Sequence, residues 1–206
     1  ILKNAFLSGM PFKVITASAI LDTPNIDTNY VCQGITKIDG YNFSDYNNIA
    51  HGELDLSQAL IESCNTYFTE KSLEISVDNL RSTAELFMFN KNIPFDLPVN
   101  TSVFPKGNIG DTELAASGIG QGKVLATPLN MAMTASAISN NGEVMKPILV
   151  KSVVSNNGKV IKTNRREVLS TAVDSLDANT IKEMMVGVVQ SGTGRNASIK
   201  NVKVAG

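Results

Sequence analysis

The sequence predicts an α/β (α+β) chain in which helices dominate and antiparallel strands are a minority. Three observations carry this. Apolar residues recur at helical spacing in several separate segments, one segment reads as a β-hairpin, and 206 residues that are 43% hydrophobic and 18% charged suffice to bury the core of a single domain.

Along the chain, Pro11 to Leu21 opens with proline at a helix-start position. It continues Phe12, Val14, Ile15, Ala17, Ala19, Ile20 and Leu21, apolar nearly all round, as in a helix buried on most faces, and Asp22-Thr23-Pro24-Asn25 ends it. Asn29 to Phe43 reads as short extended pieces with a turn at Asp39-Gly40. From Ser57, taken as the N-cap, Leu60, Cys64, Tyr67 and Phe68 fall on one helical face, which puts Ser63 and Asn65 near the middle of a continuous segment. A further helix covers Val77 to Phe89. Asn92 to Ile109, punctuated by Pro94, Pro98 and Pro105, is a loop. Thr127-Pro128 starts a helix that Asn140-Asn141-Gly142 stops. Ile148 to Val154 and Lys159 to Lys162, joined by Ser155-Asn156-Asn157-Gly158, form a hairpin. Ile181, Met184, Met185, Val188 and Val189 mark the last helix, closed by Gly192. There is no internal repeat or low-complexity tract.

Composition removes several functions. A net charge of −1 gives no basic field, so neither nucleic acid nor an anionic membrane surface is expected as a partner. No apolar run reaches the roughly 18 residues needed to span a bilayer. The first residues lack a signal-peptide layout, and the chain reads as an internal segment whose targeting elements lie elsewhere. Cys32, Cys64 and the single His51 cannot make a four-ligand zinc site from nitrogen and sulfur alone, so neither metal nor cofactor is expected. A Cys32–Cys64 disulfide is open in an oxidising compartment, but the pair reads first as two separate small buried residues. His51, with no carboxylate at a telling spacing, reads as a structural loop residue.

The chemistry-bearing residues come as short runs. Ser63-Cys64-Asn65 lies within Ala59 to Phe68. Ala115 to Gly122 holds Gly120-Gln121-Gly122 and is followed by Ala126-Thr127-Pro128-Leu129-Asn130-Met131-Ala132. Phe12 to Ala19, Asn140-Asn141-Gly142 before Pro147, Gly192-Thr193-Gly194 after Val188-Val189, and the closing Asn201 to Gly206 complete the set. Together, over nearly the whole chain, these runs resemble the transpeptidase domain of class B penicillin-binding proteins. Ser63-Cys64-Asn65 matches that family's Ser-x-Asn motif, and Lys13 matches the lysine of Ser-x-x-Lys.

The resemblance implies the helix-dominated portion of such a domain, with residues 1–206 as a single, incomplete unit whose flanking strands and Lys-Thr-Gly motif lie outside the chain. It implies serine acyl transfer that cross-links peptidoglycan stem peptides at the extracytoplasmic face of a bacterial membrane, with β-lactam antibiotics as mechanism-based inhibitors and cell-wall synthesis proteins as partners. Lys13 would be the base, Ser63 a proton relay and Asn65 a substrate clamp, with Lys13 within hydrogen-bond reach of one of them. The Gly120–Gly122 loop would either touch the cleft or serve turn geometry.

One departure is chemical. Where the family has its nucleophilic serine this chain has Met10, and a thioether has no proton to lose. Ser8 is five positions before Lys13, with Gly9 and Pro11 interrupting a helix between them. Two functions therefore stand: a segment of a D,D-transpeptidase with Met10 at the nucleophile position, or a non-catalytic paralogue acting as a cell-wall binding or division-complex scaffold.

Overall fold

The computed structural model describes residue 2 and residues 4–206, and at Met10 it describes the backbone alone. The chain begins with β1 (Phe6–Leu7) and a 3₁₀ turn over Met10–Phe12 that leads into α1 (Lys13–Leu21). Every residue of α1 except Leu21 is buried. Its polar side chains can be buried because they are paired: Thr16 donates to the Gly118 carbonyl at 2.7 Å and Ser18 to the Val14 carbonyl at 2.8 Å.

Four strands follow, β2 (Tyr30–Cys32), β3 (Ile35–Ile38), β4 (Tyr41–Ser44) and β5 (Gly52–Leu54). β3 and β4 pair as an antiparallel hairpin over Asp39 and Gly40, which take φ of +48° and +82°, the two left-handed residues a tight hairpin turn needs. β2 pairs with β5. Next come α2 (Leu56–Ile61), α3 (Asn65–Ile75), α4 (Val77–Leu86) and α5 (Asp111–Gly118), then β6 (Leu125–Ala126), α6 (Pro128–Ser139) and β7 (Glu143–Met145). The chain closes with β8 (Ser152–Val154), β9 (Val160–Thr163), β10 (Val168–Thr171) and α7 (Ser175–Gln190). Among the described residues every strand belongs to a two-stranded antiparallel pair, so the fold is mixed α+β with helices dominant. No described helix is long and apolar enough to cross a membrane.

The core is built around α1, which touches α2, α3, α4 and α7. Phe12, at its entrance, meets Phe89 edge-on at 5.3 Å and stacks on Phe104 at 5.9 Å. The expected Thr127 cap is present, accepting from the Asn130 N–H at 3.2 Å, and the helix ends where Asn141 and Gly142 take positive φ. The hairpin predicted at 148–162 is β8–β9.

The helix predicted from Ser57 through Phe68 is two helices. α2 starts earlier, at an Asp55–Gln58 capping box: the Gln58 N–H donates to Asp55 at 2.8 Å and the Asp55 N–H to the Gln58 side chain at 3.0 Å. It stops in a paired-carbonyl end, with the Ser63 N–H bonded to the Leu60 carbonyl and the Cys64 N–H to the Ala59 carbonyl. That ending requires one left-handed residue, which is Ser63 at φ +57°. Cys64 then caps α3, its Sγ accepting from the Tyr67 N–H at 3.3 Å.

Gly120 closes the loop after α5 at φ +68°. A Cβ there would lie 2.5 Å from the Gly9 carbonyl oxygen and 2.6 Å from Phe12 Cβ. Gly120→Ala should therefore cost about 2–5 kcal/mol in urea unfolding, the left-handed penalty of about 1–2 kcal/mol plus the forced displacement. Gly158→Ala, equally left-handed but open to solvent, should cost the first part only. Equal losses at the two positions would contradict the close approach.

Candidate active site

The helix break delivers two of the predicted residues to the third. Lys13, the first residue of α1, is 1% exposed. Its Nζ donates to the Ser63 carbonyl at 2.6 Å, the Asn65 Oδ1 at 2.7 Å and the Ser63 Oγ at 3.1 Å, and it sits 5.7 Å from the centre of the Phe68 ring. All three ammonium hydrogens thus have an acceptor. A continuous helix through 57–68 would have spent the Ser63 carbonyl on its own ladder.

Burial holds the Lys13 ammonium well below the ordinary lysine range, at about 8, against the opposing pull of Cys64 and Asp45. Burial also pushes the Cys64 thiol up to about 12. Cys64 is therefore uncharged near neutrality, and Asp45 is the effective anion.

Asp45 is the functional residue that the sequence did not reveal. Its carboxylate, 3% exposed, accepts from the Asn65 N–H at the start of α3, and from the Thr66 hydroxyl at 2.8 Å. The neighbouring Ser44 carbonyl accepts from the Asn65 Nδ2 at 2.8 Å. Two consecutive residues, Ser44 at the end of β4 and Asp45 just after it, thereby grip Asn65 by side chain and backbone. No periodicity or local motif marks Asp45, because its partners come from α3 and not from its own segment.

The same carboxylate gathers the cysteines and the histidine. Cys32 Sγ donates to Asp45 at 3.2 Å and Cys64 Sγ at 3.6 Å, while His51 Nδ1 lies 3.4 Å from Cys32 Sγ and 3.9 Å from Asp45. Cys32 and Cys64 are buried free thiols, as expected, and they are also neighbours, both within 3.3 Å of the Thr66 hydroxyl. His51, which has no carboxylate at a telling sequence spacing, is brought beside Asp45 by the fold. The four ligand atoms lie within 4.8 Å of one another. The exclusion of a zinc site considered nitrogen and sulfur donors alone; Asp45 supplies the oxygen that completes a Cys₂-His-Asp set, of the kind that can hold a tetrahedral zinc ion.

Lys13 and Ser63 form part of the wall of a cleft of about 590 Å³, whose other sides include Val14, Leu60, Met131, Met185 and Val188. Thr193 and Gly194, from the Gly192-Thr193-Gly194 run, reach the same cleft. The Met10 backbone opens the 3₁₀ turn immediately before α1, as expected of the nucleophile position, and its side chain lies outside the described atoms. Gly120 pins that turn, its carbonyl accepting from the Gly9 N–H at 3.0 Å. Gln121 itself is exposed. Of the two alternatives for the glycine loop, turn geometry is the one seen: Gly120 and Gly122 take positive φ, and Gly120 packs against the turn before α1.

An ε-¹³C-lysine NMR titration should show one resonance moving near pH 8 and absent from Lys13→Met. Asp45→Asn should move that midpoint lower, since the carboxylate favours the ammonium form. A Lys13 midpoint in the ordinary lysine range would contradict the buried geometry.

Comparison with known proteins identifies the family. The family profile described as the penicillin binding protein transpeptidase domain matches residues 6–206. Peptidoglycan D,D-transpeptidase PbpA of Mycobacterium tuberculosis is 29% identical over 211 residues, covering 99% of this chain and 43% of that protein. Stage V sporulation protein D of Bacillus subtilis is 26% identical, covering 98% and 32%. Among solved structures, the D,D-transpeptidase domain of a peptidoglycan glycosyltransferase from Eggerthella lenta aligns with a TM-score of 0.94 at 33% identity, covering all of this chain and 54% of that one. The imipenem acyl-enzyme of M. tuberculosis penicillin-binding protein A aligns at 0.91 and 28% identity, covering 99% and 48%. The chain spans less than half the length of these curated relatives. With a profile match across nearly every residue and a buried lysine shared between the two expected motifs, the chain belongs to the penicillin-binding-protein transpeptidase domain family.

Proposed function

We propose that this chain is the site-bearing part of a D,D-transpeptidase acting on peptidoglycan stem peptides at the outer face of a bacterial membrane, with residues 1–206 forming a single incomplete domain. The observation that carries this is the three-way bonding of Lys13 to Ser63 and Asn65, with Lys13 and Ser63 on the wall of an apolar cleft. A lysine titrating near 8 is neutral often enough to accept a proton, and it is close enough to Ser63 to pass one on. The Asn65 amide is oriented by Lys13 on its oxygen and by Ser44 on its nitrogen, which leaves one Nδ2 hydrogen for a substrate carbonyl. β-Lactams fit the same cleft in this account. Solved acyl-enzyme complexes of the mycobacterial relative with imipenem and penicillin G support that ligand class. Proteins of the wall-synthesis complex are the partners it implies.

A second reading rests on Met10. With no hydroxyl at that position, the fold would serve as a non-catalytic wall-binding or division-complex scaffold. Penicillin G separates the two in a thermal melt of the full-length protein. Ligand at a hundredfold excess over Kd adds about 2.7 kcal/mol of stability. A rise in Tm that Asn65→Ala abolishes is expected of the first reading, whereas an unchanged Tm at saturating penicillin supports the scaffold.

A further inference from the structure

The β8–β9 hairpin and the groove at its base share no wall residue with the Lys13–Ser63 cleft. We propose that hairpin and groove form a docking site for an extended, acidic segment of a partner protein. The segment adds to the free edge of β9 as a further strand and sets its carboxylates against Arg165 and Arg166. This goes beyond the proposed activity, because it holds for the catalytic and the scaffold readings alike.

Three observations meet at this site, and the first is charge. Residues 146–167 carry Lys146, Lys151, Lys159, Lys162, Arg165 and Arg166 against Glu167 alone, a net of +5 in a chain whose total is −1, so the rest of the molecule is left at −6. The whole-chain charge thus conceals a basic arm on an acidic body. The groove, of about 550 Å³, has Asp96 and Glu167 in its wall, but both carboxylates are engaged. Asp96 accepts from the Leu149 N–H at 2.9 Å and the Val150 N–H at 3.2 Å, and Glu167 accepts from Lys146 Nζ at 2.8 Å. Lys162, Arg165 and Arg166, in the same wall, have no ion pair among the described residues. Guanidinium groups left in that state suit carboxylates, which they bind through two parallel N–H donors.

The second observation is the backbone. Among the described residues β8 and β9 pair only with each other, so the outer edge of β9 has no strand beside it. β9 leads directly into the groove residues 164–167, and Asn164 ties the base of the hairpin by donating from its Nδ2 to the Val150 carbonyl at 2.6 Å. A strand laid along that edge therefore runs into the groove. The third observation is apolar exposure. No residue of either strand is buried, and Val153, Val154, Val160 and Ile161 all face water, Ile161 at 68% exposure. A two-stranded ribbon in that condition is marginal on its own. Strand addition by an acidic segment answers all three at once, with ladder hydrogen bonds, apolar cover and counter-ions. An anionic lipid surface would leave the β9 edge unpaired, and edge-to-edge pairing with a second copy would set one basic hairpin against another.

The test titrates the full-length protein into a fluorescently labelled, acetylated peptide that alternates Glu and Val, and follows its anisotropy. Saturable binding is expected. It should weaken at least about tenfold in high salt, with Arg165→Glu and Arg166→Glu combined, and on N-methylation of alternate peptide nitrogens, which removes strand hydrogen bonds without altering charge. A peptide alternating Lys and Val should not bind. Both arginines are exposed, so the double variant should keep the Tm of the unsubstituted protein. The methylated and lysine peptides are read on the unsubstituted protein and decide the claim even if that variant folds poorly. No binding of the acidic peptide overturns the proposal, and equal binding of the methylated peptide refutes strand addition. Binding that survives the double substitution refutes the site. Retention on phosphatidylglycerol vesicles without peptide binding assigns the basic arm to a membrane instead, and self-association without peptide binding assigns it to a second copy.

Discussion

A lysine ammonium at 1% exposure stays buried only if every one of its hydrogens finds an acceptor, and in this chain all three acceptor atoms belong to Ser63 and Asn65. That requirement organises the centre of the molecule. The Ser63 carbonyl and hydroxyl are available because α2 stops before them, and α2 stops because a non-glycine residue takes a left-handed conformation. Asn65 is available because it opens α3 rather than lying inside it. Asp45 and Ser44, sent inward from the β3–β4 hairpin, then hold the new helix start in place. The two motifs thus meet directly, and a third, unpredicted segment holds one of them in place.

The other side of the site is held by backbone packing. The glycine loop after α5 lies so close to the Ser8–Phe12 turn that a Cβ at Gly120 would collide with it, and this close approach fixes the entry to α1 together with the Gly9 N–H bond to the Gly120 carbonyl. Phe12 anchors the same turn from below, between Phe89 and Phe104. Position 10 is therefore set by neighbours on both sides whatever residue occupies it. With Met10 at that position the Lys13 network is complete.

Local signals were legible in the sequence where chemistry acts over a few residues. Thr127-Pro128, Asn140-Asn141-Gly142, the Asp39-Gly40 turn and the β8–β9 hairpin all depend on residues within reach of one another along the chain. The break at Ser63 was not legible, because helix periodicity continues across it and the left-handed residue is a serine instead of the glycine that announces such an ending. The start of α2 was misplaced by two residues although Asp55 and Gln58 have capping-box spacing; Ser57 is also a good cap, and nothing local chooses between them. The Cys32–Asp45–His51–Cys64 cluster depends on pairing of β2 with β5 and on the helix break, both tertiary facts. Lys13 carried its role only through resemblance, since one lysine in an apolar run is ordinarily a structural residue.

The central claim is that Lys13 and Asn65 form one energetic unit across the junction of α1 and α3. A double-mutant cycle with Lys13→Met and Asn65→Ala, read by denaturant unfolding of the full-length protein at pH 7, measures that unit directly. A hydrogen bond to a charged group in a buried site predicts a coupling of about 1.5–3 kcal/mol. Additivity to within about 0.5 kcal/mol would contradict the account, because it would mean that the two residues do not meet.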